Sequence, residues 1–129
     1  MPAIAALVIN DGAATPVAHT FSPVTTDGSL AKWADRSPSI AAGYRTITEE
    51  VLEPSGQRKA YKVTFGCYFP TVATVNGVDT VVRFSSFSGS FNMAPDSTVQ
   101  ERDDALTYVI NLFSHASVRQ SVENLEPFY

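Results

Sequence analysis

Few residues in this chain have a type and spacing that could support catalysis. The two histidines, His19 and His115, have no second ligand at a metal-binding spacing, and we interpret both as structural or exposed side chains. Cys67 alternates with apolar residues and is expected to be a small core residue. Glu101 and Asp104 would point in different directions around a helix axis, so they do not predict a metal site. We therefore predict no enzymatic activity, no cofactor and no metal.

A polar surface with one basic end is the stronger chemical signal. Lys62, Thr64 and Tyr68 occupy alternate positions of one predicted strand, so their side chains are expected on one face of a sheet. An antiparallel neighbour would extend this face with Ser86, Ser88, Ser90 and Asn92. Ammonium, hydroxyl, amide and aromatic groups together suit RNA with exposed bases. Composition alone slightly favours the alternative, an ordinary solvated sheet face.

Length and composition predict one globular domain of 129 residues, with 44% hydrophobic and 17% charged residues. The net charge of −4 argues against a protein that coats nucleic acid by bulk charge, although a local basic face is compatible with it. We find no apolar run of about 18 residues and no secretory signal pattern. A single cysteine excludes an internal disulfide and indicates synthesis in a reducing cytosol.

The first three quarters of the chain reads as strands and turns. Strands are predicted at residues 4–9, 16–21, 30–36, 44–52, 60–69 and 80–93. Pro70 is expected to end the fifth of these, and residues 71–79 to form a loop around Asn76-Gly77. In the last strand, Val82 and Phe84 do not follow the alternation set by the later residues, which predicts a bulge or twist.

Two helices follow the strands. The first is predicted at residues 96–113 with Asp96 or Ser97 as its N-cap, and the second starts at the N-cap Ser117 and stops at Pro127. One side of the first helix carries Val99, Leu106, Val109, Ile110 and Phe113. This apolar side must cover a sheet, either its own or a neighbour's. The prediction is an α+β fold, an antiparallel sheet with C-terminal helices, in a single domain divided into 1–24, 30–94 and 97–126.

The order and spacing of several short motifs resemble the coat proteins of single-stranded RNA bacteriophages of the levivirus type. These motifs are AKW at 31–33, RKAYKVTF at 58–65, PTVAT at 70–74, FNM at 91–93 and the ending VENLEPFY. The resemblance covers essentially the whole chain. It implies an N-terminal hairpin, a five-stranded antiparallel sheet, and two helices that clasp the partner in an intertwined homodimer.

The resemblance also implies a function. Dimers of the family build an icosahedral shell of the virion, made in the bacterial host, and the inward sheet face binds a genomic RNA hairpin for packaging and repression of replicase translation. Carried over by position, the RNA-binding residues are Lys62, Thr64, Tyr68, Ser88, Ser90 and Asn92. The loop that adapts to quasi-equivalent positions corresponds to Thr74, Val75, Asn76, Gly77, Val78 and Asp79.

The chain also departs from its relatives at the RNA face. Ser90 stands where some relatives have a base-stacking aromatic residue, and Gly66 replaces a basic residue, so the RNA operator is expected to differ. Glu49 and Glu50 are expected at the margin of this face or at subunit contacts, because carboxylates repel RNA. Two alternatives stay open: a small dimeric α+β ligand-binding protein or enzyme with its site between sheet and helix, and an RNA-binding module that does not assemble.

Overall fold

The computed structural model describes residues 2–129, which form two compact units. The first unit, residues 2–92, contains a β-sheet, and the second, residues 93–129, contains two helices. The strands are β1 Leu7–Asn10, β2 Ala18–Asp27, β3 Leu30–Asp35, β4 Arg45–Leu52, β5 Tyr61–Val75 and β6 Val78–Met93, with a short 3₁₀ turn at Ala41–Gly43. The predicted α+β class is confirmed.

All six strands belong to one antiparallel sheet in chain order, from β1 at one edge to β6 at the other. The expected number was five. The difference arises because both strands of the N-terminal hairpin join the sheet, β2 pairing with β3 from Ser22 to Asp27. The register between these strands shifts near Pro23, which has no backbone N–H to donate.

The strand registers divide the sheet into two chemically different faces. One cross-strand row is Trp33, Ile47 and Cys67, and the adjacent row is Lys32, Thr48 and Gly66. Side chains in adjacent rows point to opposite faces. The apolar face thus carries Trp33, Ile47, Val51, Val63, Phe65 and Cys67, and the polar face carries Lys32, Thr46, Thr48, Glu50, Lys62, Thr64 and Tyr68.

Two aromatic contacts fix the faces of β6. The rings of Phe65 and Phe91 meet edge to face at 6.3 Å, and those of Tyr68 and Phe84 meet at 5.2 Å. Phe65 and Tyr68 are three residues apart and therefore point to opposite faces of β5. Phe84 and Phe91 are seven residues apart, also an odd number, and point to opposite faces of β6. Phe91 lies on the apolar face and Phe84 on the polar face. Phe84 is thus an apolar residue on the polar face, which explains why it does not follow the alternation of the later residues.

Pro70 does not end β5, and the predicted loop at residues 71–79 is wrong. The pairing of β5 with β4 ends at Tyr68, so a missing N–H at Pro70 costs no hydrogen bond to β4. The strand continues to Val75 and turns through two residues, Asn76 with φ of 51° and Gly77 with φ of 78°. Asn-Gly tolerates two positive φ angles, which a two-residue hairpin turn requires.

The N-terminal hairpin is shorter at its start than predicted and is closed by side-chain hydrogen bonds. The Trp33 indole N–H donates to the carbonyl of Ala5 at 2.8 Å, and β1 begins only at Leu7. At the turn, the Asp11 carboxylate accepts from the backbone N–H of Val17 at 3.0 Å and of Ala13 at 3.1 Å. These hydrogen bonds, led by that from Val17 and joined by one with His19, lower the pKa of Asp11 to about 2.

The buried core of the sheet unit is small. Its buried residues are Phe21, Ala34, Asp35, Gly43 and Pro70, and none of the described side chains is fully buried. Asp35 is tolerated there because its carboxylate accepts from Arg45 at 2.9 Å and from the Ser37 backbone N–H at 3.1 Å. Burial raises the pKa of Asp35, but these donors outweigh it and hold the pKa below its ordinary value.

The helical unit contains α1, Val99–Ser114, and α2, Ala116–Asn124. The N-cap of α1 is Thr98 rather than Asp96 or Ser97, because Thr98 and Glu101 form a reciprocal capping box with hydrogen bonds of 3.1 and 2.7 Å. Within residues 2–129, no helix is both long and apolar enough to span a membrane.

The predicted limits of α2 also needed correction. Its N-cap is His115 rather than Ser117, since the His115 imidazole Nδ1 accepts from the backbone N–H of Ser117 at 3.3 Å. The helix ends at Asn124, before Pro127, and the next residue, Leu125, adopts a left-handed conformation with φ of 58°. A left-handed residue after the last turn is a common way to end a helix, so the stop does not require the proline.

Candidate nucleic-acid interface and assembly surfaces

The predicted RNA-binding residues of β5 lie on the polar face. Lys62, Thr64 and Tyr68 pair across to Leu52, Glu50 and Thr46 of β4, in alternating rows of the sheet. Lys62 and Thr64 are half-buried, whereas the Tyr68 ring is exposed. The alternation in the sequence therefore predicted their common face correctly.

The predicted residues of β6 extend this face. Ser88, Ser90 and Asn92 are all exposed and follow Phe84 at even spacings on the same strand. Together with Thr46, Thr48 and Thr64, they form a field of hydroxyl and amide groups that can donate and accept hydrogen bonds. Such a field matches the edges of unpaired bases better than a uniformly charged surface does.

Two charged residues also lie on this face: Lys32, which the sequence analysis did not assign to it, and Glu50, which was expected at its margin or at a subunit contact. Lys32 pairs with Thr48 and adds a second lysine; its alternation with Trp33 was the signal that could have identified it. Glu50 pairs with Thr64 on the polar face, where its carboxylate accepts from the Ser29 hydroxyl at 3.4 Å. Glu49, in contrast, lies on the apolar face opposite Phe65.

Gly66 has a structural reason to lack a side chain. A Cβ atom built at this position would lie 2.8 Å from Oγ1 of Thr48, which is closer than real Cβ contacts allow. The Thr48 hydroxyl donates to the Gly66 carbonyl at 3.3 Å, so Thr48 occupies the space above the glycine. A basic residue at position 66 would therefore require Thr48 to move.

Residues 74–79 form the end of the β5–β6 hairpin rather than an open loop. The Asp79 carboxylate accepts from the Ser39 hydroxyl at 2.5 Å and from the Thr74 hydroxyl at 2.8 Å. The bond from Ser39, followed by that from Thr74, lowers the pKa of Asp79. The carboxylate thus ties the base of the turn to the segment that precedes the 3₁₀ turn.

The predicted apolar side of α1 is present and solvent-accessible in the single chain. Val99 is 74% exposed, Leu106 45%, Ile110 54% and Phe113 50%, while Val109 is half-buried. Monomeric proteins rarely expose so many large apolar side chains along one helix. This side of α1 has the character of an interface.

The cysteine and histidine side chains considered for catalysis are placed among apolar residues or hydrogen-bonded to other parts of the fold. Cys67 is half-buried on the apolar face, and burial raises the pKa of its thiol, which disfavours the reactive thiolate. The His19 ring lies between two carboxylates, with Nε2 3.0 Å from Asp11 and Nδ1 3.4 Å from Asp35. Among residues 2–129, no group of three or more histidine, cysteine or acidic side chains is arranged to hold a metal.

Comparison with known proteins gives a consistent result across the whole chain. The levivirus coat protein family matches residues 2–129. Among proteins of curated function, none matches. A virus-like particle of Beihai levi-like virus 21 has a similar subunit, with 28% identity, 99% coverage of both chains and a TM-score of 0.89.

Two further solved structures are similar to this chain. A virus-like particle of bacteriophage NT-214 is 27% identical, with 98% coverage of both chains and a TM-score of 0.85. The protein capsid of bacteriophage GA shares the fold at 18% identity, with 97% coverage of both chains and a TM-score of 0.78. The resemblance noted in the sequence is confirmed. The chain belongs to the levivirus coat protein family, and its role is that of a structural capsid protein.

Proposed function

We propose that this chain forms homodimers that assemble into an icosahedral shell, and that the polar face of the sheet lines the interior and binds hairpins of the viral RNA. The observation that carries the proposal is the chemical division of the sheet. A single-layer sheet of this kind needs another layer of protein on its apolar face. Its polar face is free to bind a polar ligand.

Dimerisation follows from the apolar surfaces. The sheet unit presents Val51, Val63 and Phe65 on its apolar face, and the helical unit presents Leu106 and Ile110. Each large side chain is worth about 1.5–3 kcal/mol when it is fully removed from water. We propose that the helices of one subunit cover the apolar face of its partner, which supplies the missing second layer for both chains.

The polar face offers each kind of contact that RNA recognition needs. Lys62 can pair with a phosphate, and Tyr68 can stack on a base. Thr64, Ser88, Ser90 and Asn92 can hydrogen-bond base edges and 2′-hydroxyls. Binding a hairpin here would serve both packaging and repression of replicase translation. Glu50 would exclude phosphates from its own row and so restrict where the backbone can run.

The hairpin at residues 74–79 is proposed as the element that adapts to quasi-equivalent positions in the shell. Asn76 and Gly77 accept several backbone conformations at low cost. The hydrogen bonds from Ser39 and Thr74 to Asp79 are exposed, so they can be exchanged for bonds to water when a different conformation is required.

The RNA-binding part of the proposal can be tested with particles produced in a bacterium. Lys62→Ala should lower the RNA content per mass of protein and reduce the salt dependence of RNA binding by about one phosphate contact, with particles still formed. Lys59→Ala is the matched control, because Lys59 is exposed outside the strands and has the same charge. Equal RNA content in intact Lys62→Ala particles would remove Lys62 from the RNA face.

A further inference from the structure

We propose that Phe84 and Tyr68 together form a stacking platform for one unpaired nucleobase of the bound RNA. The proposal rests on the proposed RNA-binding function of the polar face and adds Phe84, which the sequence analysis did not assign to it. The ligand at this part of the polar face is the flat surface of a nucleobase, which stacks on the two aromatic rings.

The geometry of the pair carries the proposal. The ring centroids of Tyr68 and Phe84 are 5.2 Å apart with an interplanar angle of 45°, and both rings lie on the polar face. Phe84 is 62% exposed and Tyr68 is 36% exposed. The two rings therefore form a continuous apolar area that a planar ligand can reach from solvent, at the end of the β4–β5 ladder, where Tyr68 pairs with Thr46.

The surroundings of the pair favour a nucleobase over an apolar ligand. Thr46 stands beside Tyr68 in the same cross-strand row, and Ser86 follows Phe84 on the same face of β6. Their hydroxyl groups can bond the edge of a base that stacks on the rings. An apolar partner would cover these hydroxyls without replacing their hydrogen bonds to water, which costs free energy. Lys62 lies about 20 Å from Tyr68 along β5, so it can reach the phosphate backbone a few nucleotides away from the stacked base.

The aromatic pair on the other face is different and provides an internal comparison. Phe65 and Phe91 meet edge to face at 6.3 Å, with an interplanar angle of 88°, and both are half-buried. An edge-to-face pair is typical of packed cores. The chain therefore carries one core-like pair and one exposed pair, and only the exposed pair shares a face with the lysines and hydroxyls.

The test separates contacts to bases from contacts to the backbone. Full-length protein, kept below its assembly concentration, is titrated with a fluorescent single-stranded RNA of about twelve nucleotides and with an abasic strand that has the same sugar-phosphate backbone. Wild-type protein should bind the base-bearing strand more tightly. Phe84→Leu should reduce this preference at least about fivefold while leaving the affinity for the abasic strand unchanged.

Two variants complete the design. Phe91→Leu makes the same substitution on the apolar face and should keep the preference for bases. Phe84→Tyr retains an aromatic ring and should keep it as well. If Phe84→Leu does not fold, Tyr68→Leu takes its place with the same expected result, because it removes the other ring of the platform.

The possible results distinguish the platform from the proposed function. Wild-type protein that binds neither strand would overturn the platform, whereas the proposed binding of hairpins is tested separately by the RNA content of Lys62→Ala particles. Equal binding of both strands by wild-type protein would overturn the platform and leave backbone binding standing. An unchanged preference in folded Phe84→Leu, or an equal loss of affinity for both strands, would also overturn it.

Discussion

Leu106 is the residue at which the proposed role of α1 in dimerisation can be tested most quantitatively. It is 45% exposed in the single chain, so a partner can remove nearly half of its surface from water. With about 1.5–3 kcal/mol for full burial, Leu106→Ala should cost roughly 0.7–1.4 kcal/mol per subunit. Because both subunits of the dimer carry the substitution, the dimer dissociation constant should rise about 10- to 100-fold.

A charge at the same position should have a larger effect. Leu106→Asp would place an unpaired carboxylate in the interface, which costs several kcal/mol at each of the two sites, so we expect no soluble dimer. Alanine has at least the helix propensity of leucine, so the loss in Leu106→Ala does not arise from the helix itself. Asn111→Asp is the matched control: it adds the same charge to the same helix, on the side away from Leu106.

Sedimentation equilibrium over a dilution series measures the dimer dissociation constant of each variant. The expected order of stability is wild type and Asn111→Asp together, then Leu106→Ala, with Leu106→Asp monomeric or insoluble. A soluble Leu106→Asp dimer of wild-type affinity would refute the clasping role of α1. Equal weakening by Asn111→Asp would show that charge anywhere on the helix, rather than loss of its apolar side, causes the effect.

Three further predictions concern the sheet unit. Hydrogen bonds, that from the backbone N–H of Val17 above all, hold the pKa of Asp11 at about 2, so its stabilising effect should be complete above the ordinary carboxyl pKa near 4 and be lost as pH falls towards 2. Asp11→Asn should flatten this part of the pH dependence of unfolding by urea. Gly43→Ala should destabilise by about 1–3 kcal/mol, because its Cβ would lie 2.3 Å from Cγ2 of Val72. Asp79→Ala removes the acceptor of two hydroxyls and should speed amide hydrogen exchange in the turn that precedes it.

Each of these predictions has its own control. An unchanged acid limb of the pH profile in Asp11→Asn would assign acid sensitivity to other carboxylates, with Asp35 the next to test. The cost of Gly43→Ala should shrink when Val72→Ala is added, and independent costs would contradict a direct clash. Asp27→Ala, on an exposed residue at the end of β2, should leave exchange in the β5–β6 turn unchanged, and unchanged or slower exchange in Asp79→Ala would refute the tether.

Alternation predicted the polar face of β5 and β6 because a strand has a period of two and most of these residues are polar and apolar in turn. The same rule failed at Phe84, an apolar residue on the polar face. Only its ring contact with Tyr68 shows on which face it lies. Lys32 was missed because its strand is short, so Trp33 alone marked the opposite face. Local pattern is informative over a long strand and weak over a short one.

Element ends were harder to predict, for identifiable reasons. Asp96, Ser97 and Thr98 are all good caps, and only the glutamate three residues after Thr98 distinguishes it through the capping box. A proline in a strand usually indicates its end, but Pro70 lies beyond the part of β5 that pairs with β4, and that part depends on the length of β4 rather than on local sequence. Assembly is further removed still, because the sequence of one chain does not identify what covers an apolar surface.

The most direct test of the capsid proposal is size-exclusion chromatography of the protein expressed in a bacterium, with the ratio of absorbance at 260 and 280 nm recorded across the leading peak and negative-stain microscopy of its fractions. The proposal predicts uniform spherical particles near the void volume, with an absorbance ratio that indicates packaged RNA. A dimer free of nucleic acid at every concentration would contradict it.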